Sequence, residues 1–586
     1  MKVFAGAALF AIAASASAQQ LPPPGAGDVL RDLGDKAKAI PPAKAPPPIE
    51  VAPDARRAVK PLPGFRIDVS GFRFSGLTPA PDKTVDAVLQ QFVGLPAIPE
   101  ARLQALVRPY VGPGKTFEDL QAAADAVTKY LRSRGYFVAQ AFIPEQKLAA
   151  GVVEIAILEG RLGEVRVDMD ARAPVRREQV ERLLSSLTPG IVLHEDTIER
   201  ALLIASDLRG ITLRSVIEPG AQPGTATLVV KVEAARRVDG TIEFDNHGSR
   251  FTGELRAGAS VNWNSPLGRG DLLSFRGGVA VPGGGKDTEF GRVSYLAPIG
   301  RYGTKVGAAY LKLKYHLGTT TFEPLDQSGE STVVSAFVLH PLVRVRAVNV
   351  IAQASYDVRE FSDNRVAVGT ISDRKIKAGA FSLLGDWRDG FLGGGLNNFS
   401  LAVTRGELEL QSPPDLAADQ GPNGRSADGA YSKLNGSVVR IHNLAPATSV
   451  YLTYSFQRAW DNLDGSEKLS LGGPNAVRAY AVGEATSDDA QLFTAELRHG
   501  LRRMGPVPGH VIGSVFYDYG VGRLSHRPNP GEFNRRTLQG AGLGATWLLQ
   551  DNFFVRASLA WRLSGSATSD PADRKPRLFF QLVKHL

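Results

Sequence analysis

One arginine and one aspartate have side chains and surroundings that could give a specific internal contact. Arg478 lies in a loop that begins with glycine and proline, among small and apolar residues, and Asp518 lies further along inside a strand-like run. A guanidinium and a carboxylate can form a bidentate, charge-assisted bond that fixes geometry as well as adding energy. We predict that the two side chains meet inside a barrel lumen and hold the loop against the wall. The alternative is two unrelated surface charges.

Six further residues support this predicted contact. The loop run is Leu471-Gly472-Gly473-Pro474-Asn475-Ala476-Val477-Arg478-Ala479-Tyr480, and the strand run is Phe516-Tyr517-Asp518-Tyr519-Gly520. The supporting residues are Gly472, Gly473, Val477, Tyr480, Phe516 and Gly520. Because side chains alternate along a strand, Phe516 and Gly520 share the face of Asp518. Together these residues are predicted to form a loop-to-wall lock.

The rest of the chain offers no group of residues that indicates catalysis, metal binding or a cofactor. It has no cysteine, and its nine histidines show neither metal-ligand spacing nor the order of a Ser/His/Asp triad. Gly114-Lys115-Thr116 is similar to the end of a phosphate-binding loop, but Pro109 stands where that loop requires glycine. Thr116, followed by an acid in the next turn, instead predicts a helix cap. We therefore predict a protein that is not an enzyme.

Length and charge limit the domains and partners. The chain has 586 residues, enough for about two to four domains, and a formal net charge of +9. This charge is modest for the length and no concentrated basic patch is present, so nucleic acid is not a predicted partner, whereas outer-membrane lipid is. Beyond the N-terminus, no apolar run reaches the roughly 18 residues that a transmembrane helix needs.

The N-terminal part is predicted to be a targeting segment followed by a linker. Residues 1–18 combine a charged start, an apolar stretch and an Ala-Ser-Ala cleavage site, which predict a signal peptide and export. Residues 19–64 are rich in proline and alanine, a composition typical of an extended, semi-rigid linker. Within it, residues 28–38 place three apolar side chains on one helical face. This segment is either a helix that docks in the lumen as a plug or part of the linker.

Two consecutive α+β modules are predicted after the linker. Residues 65–160 show strand signals on both sides of a long amphipathic helix that begins after Thr116. Residues 161–235 repeat this combination of strand and helix signals at smaller size. Each module is large enough to bury a small core of its own.

Residues 236–586 follow a different pattern, in which strands alternate apolar and polar residues. In residues 254–263, 449–457 and 553–562 one face is apolar and the other is polar or charged, with aromatic residues near an end. Such strands of about ten residues are typical of a transmembrane β-barrel with lipid outside and water inside; a soluble β-sandwich is the alternative. At roughly 22 residues per strand and connection, about 16 antiparallel strands are predicted. Arg478 then follows about eleven strands, on the outward side, and about five strands remain.

Modules, barrel and motifs together resemble the two-partner secretion transporters, the TpsB family of the BamA-like outer-membrane superfamily. The run 471–480 is similar to that family's sixth extracellular loop, which folds back into the barrel. The run 516–520 matches its inward-facing wall motif. The resemblance covers nearly the whole mature chain.

The modules carry the same resemblance, and two positions depart from it. Ile143-Pro144-Glu145-Gln146, together with Gly151 through Glu159-Gly160, is similar to the end of a first POTRA module. Ala479 stands where the family usually has glycine, and Leu586 stands where it usually has a terminal aromatic residue. These departures concern the loop tip and the C-terminal insertion signal.

The resemblance implies an outer-membrane pore that recognises and exports one large unfolded partner exoprotein, of the haemolysin or adhesin type. Both modules would lie in the periplasm and would capture an extended segment of the partner by strand addition. Folding of the partner outside would then bias the direction of transport. The alternatives are a factor that assembles other barrels, which usually has more modules, a passive porin, which has no use for modules, and an enzyme barrel such as a lipid hydrolase.

Overall fold

A computed structural model describes residues 24–33, 49–51, 64–76, 98–136, 138–147, 150–222, 224–281, 287–318, 324, 326–501, 508–549, 552–569 and 574–586. The predicted signal peptide and most of the proline-rich linker lie outside the described residues. Within these ranges, no helix has both the length and the apolar character needed to cross a membrane.

Helices and strands of mixed length precede the barrel. The helices are α1 (Ala26–Asp32), α2 (Glu100–Val107), α3 (Phe117–Ser133), α4 (Arg177–Leu184) and α5 (Glu195–Ser206). The strands are β1 (Ile49–Val51), β2 (Ile67–Val69), β3 (Gly71–Ser75), β4 (Gly112–Lys115), β5 (Gln140–Phe142), β6 (Val152–Leu158), β7 (Arg161–Met169), β8 (Ile211–Pro219) and β9 (Thr225–Ala234). The predicted α+β character of this region is confirmed.

The first module packs one long helix against a small sheet. The apolar face of α3 is buried, with Leu120, Ala124, Val127 and Leu131 spaced about one helical turn apart. The sheet runs in the order β3-β6-β5, with β3 parallel and β5 antiparallel to β6. Because this core forms between neighbouring elements, the module has its own hydrophobic centre.

A capping box starts α3. The Thr116 hydroxyl accepts a hydrogen bond from the backbone N–H of Asp119 at 3.3 Å, and the Asp119 carboxylate accepts one from the backbone N–H of Thr116 at 2.8 Å. The hydrogen bonds from Thr116 hold the pKa of Asp119 below its usual range. Gly114-Lys115-Thr116 is therefore a helix cap and not part of a phosphate-binding loop.

Replacing Thr116 with alanine is expected to destabilise the first turn of α3 by about 1 kcal/mol, because one backbone donor loses its acceptor. Amide hydrogen exchange in the full chain should then be roughly fivefold faster in this turn. Thr116→Ser keeps the hydroxyl and is the matched control. Since the folded pKa of Asp119 is lowered, its contribution is present at neutral pH and is lost as the pH falls through that pKa. Equal exchange in the alanine and serine variants would contradict the prediction.

The second module has a four-stranded sheet in the order β1-β8-β9-β7. β8 and β9 are antiparallel, and β7 is parallel to β9. β1, which comes from the proline-rich linker, adds to β8 in parallel, with Ile49 opposite Ser215 and Val51 opposite Ile217. The edge of this sheet therefore already accepts an added strand.

Sixteen antiparallel strands form a closed barrel, as predicted. They are β10 (Val238–Asp245), β11 (Arg256–Asn264), β12 (Leu272–Ala280), β13 (Asp287–Ile299), β14 (Thr304–His316), β15 (Gln327–Arg344), β16 (Val348–Arg365), β17 (Thr370–Asp389), β18 (Gly395–Leu410), β19 (Gly429–Ala445), β20 (Thr448–Ala459), β21 (Asp489–Leu501), β22 (His510–Arg523), β23 (Arg535–Leu549), β24 (Phe553–Ser564) and β25 (Arg577–His585). β10 pairs with β25 and closes the barrel. One further helix, α6 (Pro413–Gln420), lies between β18 and β19.

Strand faces alternate as predicted, but several strands are longer than predicted. Val261 of β11 and Phe381 of β17 are about half exposed on the outer wall. The strands from β15 to β19 have 16 to 20 residues instead of about ten. On β17, Lys375 and Lys377 precede Phe381 on the outward face and pair with Glu360 and Glu409. These outward charges interrupt the apolar alternation, so the sequence pattern stops where the strand leaves the lipid.

Ion pairs fasten the second module to one end of the barrel. Asp207, which follows α5, pairs with Arg344 at 2.9 Å, and Glu199 pairs with Arg346 at 2.7 Å. Arg344 and Arg346 lie at the turn between β15 and β16, whereas Arg478 lies in the connection between β20 and β21. In an antiparallel barrel these two connections are at opposite ends, so the modules lie opposite the opening into which the loop enters.

Candidate functional site

The connection between β20 and β21 folds back into the barrel. Leu471, Val477 and Tyr480 are fully buried in it. They pack against apolar residues of the inner wall, which include Leu492 and Leu538. Burying these side chains removes apolar surface from water, so the loop gains stability by lying in the lumen instead of outside.

Glycines make the close approach of loop and wall possible. Gly473 has a φ of +128°, a backbone conformation that a side chain disfavours. A Cβ on Gly472 would lie 2.5 Å from the carbonyl oxygen of Ala481. On the wall, a Cβ on Gly520 would lie 3.0 Å from side-chain atoms of Val477 and Leu492. Gly520 therefore leaves space for the Val477 side chain, and Asp518, two residues earlier on the same face of the strand, lies next to that space.

The structure brings Arg478 and Asp518 together in the lumen. Arg478 Nε donates to Asp518 Oδ2 at 2.9 Å, and Nη2 donates to Oδ1 at 2.9 Å. The backbone N–H of Arg478 also donates to Oδ2 at 3.1 Å. The guanidinium carbon lies 3.3 Å from the ring centroid of Phe516, so the cation stacks on that ring. Both charged side chains are buried.

Two polar residues of β21 complete the contact, and sequence reasoning missed both. Arg478 Nη1 donates to Glu496 Oε2 at 3.0 Å, and the Thr494 hydroxyl donates to Asp518 Oδ1 at 2.9 Å. Glu496 is also close to Arg498 and Arg556, at 3.0 and 3.7 Å. Thr494, Glu496 and Arg498 alternate along one strand and share its inner face. The sequence therefore indicates that these three side chains face the lumen. That Thr494 and Glu496 contact Asp518 and Arg478 follows only from the pairing of β21 with β22.

A second buried acid holds the other side of the loop. Glu484 accepts a hydrogen bond from Arg536 at 2.8 Å and others from the backbone N–H groups of Thr568 and Ser569, at 3.0 and 2.9 Å. The Tyr480 hydroxyl donates to the carbonyl oxygen of Ser564. The loop is therefore tied both to the wall and to the connection between β24 and β25.

The two departures from the family pattern are accommodated locally. A Cβ on Gly540 of β23 would lie 2.7 Å from the Ala479 Cβ, so a glycine on the wall leaves room for the extra methyl group. Leu586 donates its backbone N–H to the Gly240 carbonyl at 3.0 Å. The chain end therefore still pairs with the first barrel strand.

Helix α1 lies inside the barrel. Val29, Leu30 and Leu33 are buried against an apolar patch of the inner wall. The wall part of this patch consists of Leu311, Leu313, Tyr315, Leu317, Phe361, Ile376, Ala378, Leu408, Tyr431, Ala459 and Leu463. Of the two interpretations of residues 28–38, the structure has a luminal helix up to Asp32; residues 34–38 lie outside the described residues.

Polar contacts join α1 to both the wall and the inward-folded loop. Ala26 donates its backbone N–H to Asp363 Oδ1 at 2.7 Å and accepts from the Ser331 hydroxyl at 3.0 Å. Arg31 Nη1 donates to the carbonyl oxygen of Gly465, in the loop, at 2.7 Å. The helix and the loop therefore occupy the lumen in contact with each other.

A closed sixteen-stranded barrel with α+β modules at one end and an inward-folded loop is the architecture of an outer-membrane protein transporter. The family model for "Haemolysin secretion/activation protein ShlB/FhaC/HecB" matches residues 224–547, and the model for "POTRA domain, ShlB-type" matches residues 91–160. The chain therefore belongs to the haemolysin secretion/activation family of two-partner secretion transporters, as predicted. The barrel lies in the outer membrane and the modules lie in the periplasm.

Individual relatives agree with this assignment. The chain is 26% identical over 81% of its length, and 82% of the relative's, to the heme/hemopexin transporter protein HuxB of Haemophilus influenzae (strain 86-028NP). It is 25% identical over 78% of both chains to the outer membrane transporter CdiB of Dickeya dadantii (strain 3937). The solved structure of CdiB from Escherichia coli is similar in fold, with a TM-score of 0.66 at 22% identity over 91% of this chain and 93% of that one.

Proposed function

We propose that this transporter captures one large partner protein in extended form on its periplasmic modules and threads it through the lumen after α1 has left. The observation that carries this proposal is that α1, a helix of seven residues that is not part of the barrel wall, occupies the lumen. Its short length and its linker to the modules suit an element that can be displaced. The loop-to-wall lock of Arg478 and Asp518 would keep the inward-folded loop in place while a chain passes.

Capture is proposed to use the β5 edge of the sheet in the first module. The Thr128 hydroxyl, which bonds the backbone N–H and C=O of Ala141 at this edge, would be displaced by the added strand. β5 lies at the edge of the order β3-β6-β5, and its Phe142 is 37% exposed. An extended segment that adds to this edge gains backbone hydrogen bonds, and an exposed aromatic residue gives it a side-chain contact. The addition of β1 to β8 is an example of the same mode within this chain.

The alternatives differ in what the modules and lumen would do. An assembly factor for other barrels would use the modules to deliver barrel precursors, and a porin would leave the lumen open to small solutes. We propose neither, because the described residues form two modules before the barrel, and α1 and the inward-folded loop occupy the lumen. We also propose no enzymatic activity, since the polar groups gathered in the lumen hold elements together without presenting a nucleophile and base to a substrate.

Replacing Phe142 with serine is expected to lower export of the partner several-fold, because aromatic anchors carry much of the affinity at such surfaces. A large secreted protein whose gene neighbours the gene of this chain would be the partner to test. Its amount in the medium is the measurement. Val111→Ser is the matched control, since Val111 is 38% exposed on the same module. Equal export by the Phe142→Ser and Val111→Ser variants would contradict capture at β5. A decline of other outer-membrane barrels without a decline of partner export would mean that the chain serves barrel assembly.

A further inference from the structure

An open cleft of about 350 Å³ lies where the second module meets the outer wall of the barrel. The segment before α4 contributes Arg176, and the start of the barrel contributes Arg237. Trp263, at the end of β11, and Leu267, in the turn that follows, form its apolar side. The cleft therefore combines two cations with an apolar wall at the periplasmic end of the barrel.

Both arginines of the cleft are exposed. In the part of the chain that the structure describes, neither guanidinium pairs with a carboxylate. The nearby acids are already satisfied: Asp239 accepts from the side-chain amides of Asn262 and Asn264, and Asp271 accepts from the Tyr295 hydroxyl. The cleft is therefore cationic and its two guanidinium groups are available to an anion.

The apolar side of the cleft continues onto the lipid-facing wall. Trp263 is 46% exposed and lies opposite Val238 in the pairing of β10 with β11. Val261 and Phe275 are also exposed on the same outer face. Tryptophan at the end of a membrane strand marks the boundary between hydrocarbon and headgroups. The cleft therefore opens at the depth of the headgroups of the periplasmic leaflet.

We infer that this cleft binds the phosphate of an anionic glycerophospholipid, with its acyl chains along Trp263, Val261 and Phe275. Guanidinium groups match phosphate oxygens in geometry as well as charge. The occupant is a lipid because the cationic side and the lipid-facing apolar side adjoin at headgroup depth. Such a lipid would connect the second module to the membrane, in addition to the ion pairs that connect the module to the barrel at the turn between β15 and β16.

The test uses the full-length protein in detergent, with bound lipid counted by native mass spectrometry. Wild type is expected to retain phosphatidylglycerol in preference to phosphatidylcholine. Arg176→Gln with Arg237→Gln should weaken phosphatidylglycerol binding about 25-fold, at roughly fivefold for each basic side chain near an anionic surface. Trp263→Ala should weaken the binding of both lipids, because it removes apolar contact and no charge.

The matched control is Arg166→Gln with Arg214→Gln, which removes two charges from the sheet of the same module. These arginines are about half exposed and pair with Glu218 and Glu233. Retention of the barrel's heat-dependent gel shift shows that each variant is folded. Equal retention of the two lipids by wild type, or an equal loss in the control, would overturn the inference.

Discussion

Replacing Arg478 with alanine is expected to reduce secretion of the partner at least tenfold, while the barrel still inserts. The change leaves Asp518 in the lumen with Thr494 as its remaining side-chain donor. Breaking a buried ion pair by removing one member costs about 3–5 kcal/mol, because the other charge stays buried without compensation. Partner in the medium measures export, and the heat-dependent gel shift of the barrel measures insertion.

The structure sharpens this test, because Arg478 also has Glu496 as a partner. A double-mutant cycle with Asp518→Ala should show strong coupling. A cycle with Glu496→Gln should show weaker coupling, because the Glu496 carboxylate is shared with Arg498 and Arg556 and depends less on Arg478. Arg458→Ala is the control, because Arg458 is half exposed and pairs with Asp489. Purely additive effects of Arg478 and Asp518 would mean that the loop is held in some other way.

Fixing α1 to the inward-folded loop is expected to block export completely and reversibly. The chain has no cysteine, so a single engineered pair is unambiguous. A Cβ on Gly27 would lie 3.0 Å from the Cβ of Ser466, close enough for a disulfide after a small adjustment. Gly27→Cys with Ser466→Cys should therefore give low pore conductance and no export when oxidised. Adding a reductant should restore both the pore conductance and the export of the partner.

Each single cysteine variant is the control for this experiment and should export the partner with or without reductant. Deleting residues 24–33 is the complementary change and should raise single-channel conductance several-fold, because the helix no longer fills part of the lumen. Replacing those residues with a Gly/Ser segment of equal length should have the same effect with the linker length preserved. Normal export by the oxidised pair would show that α1 need not leave.

Alternating strands and turn chemistry made much of the fold predictable. A barrel strand has to be apolar on its lipid face, and this period of two is visible without any knowledge of partners. The contact of Arg478 with Asp518 could be proposed because both lie in runs where a charge is conspicuous. The capping box at Thr116 was predictable because it depends on residues within one helical turn.

Contacts that depend on distant pairing were not predictable. Glu496 lies in a polar run like many others, and only the register of β21 with β22 places it beside Arg478. Glu484 contacts residues more than eighty positions away, and four barrel strands lie between them in the chain. The location of α1 depends on an apolar patch assembled from several strands. In each case the sequence shows a residue that could form the contact, but which residue it contacts depends on how the strands pair in the closed barrel.

The uneven strand lengths give the pore a slanted mouth. β17 has 20 residues and rises about 50 Å at a typical tilt, whereas β25 has nine and rises about half as far. Beside the tall side an extended chain would keep about 15 residues shielded from sideways contact. Beside the short side, formed by β24, β25 and β10 to β12, it would be released much earlier. An emerging chain can therefore begin to collapse on one flank only, which would set the direction in which the folded product grows away from the cell.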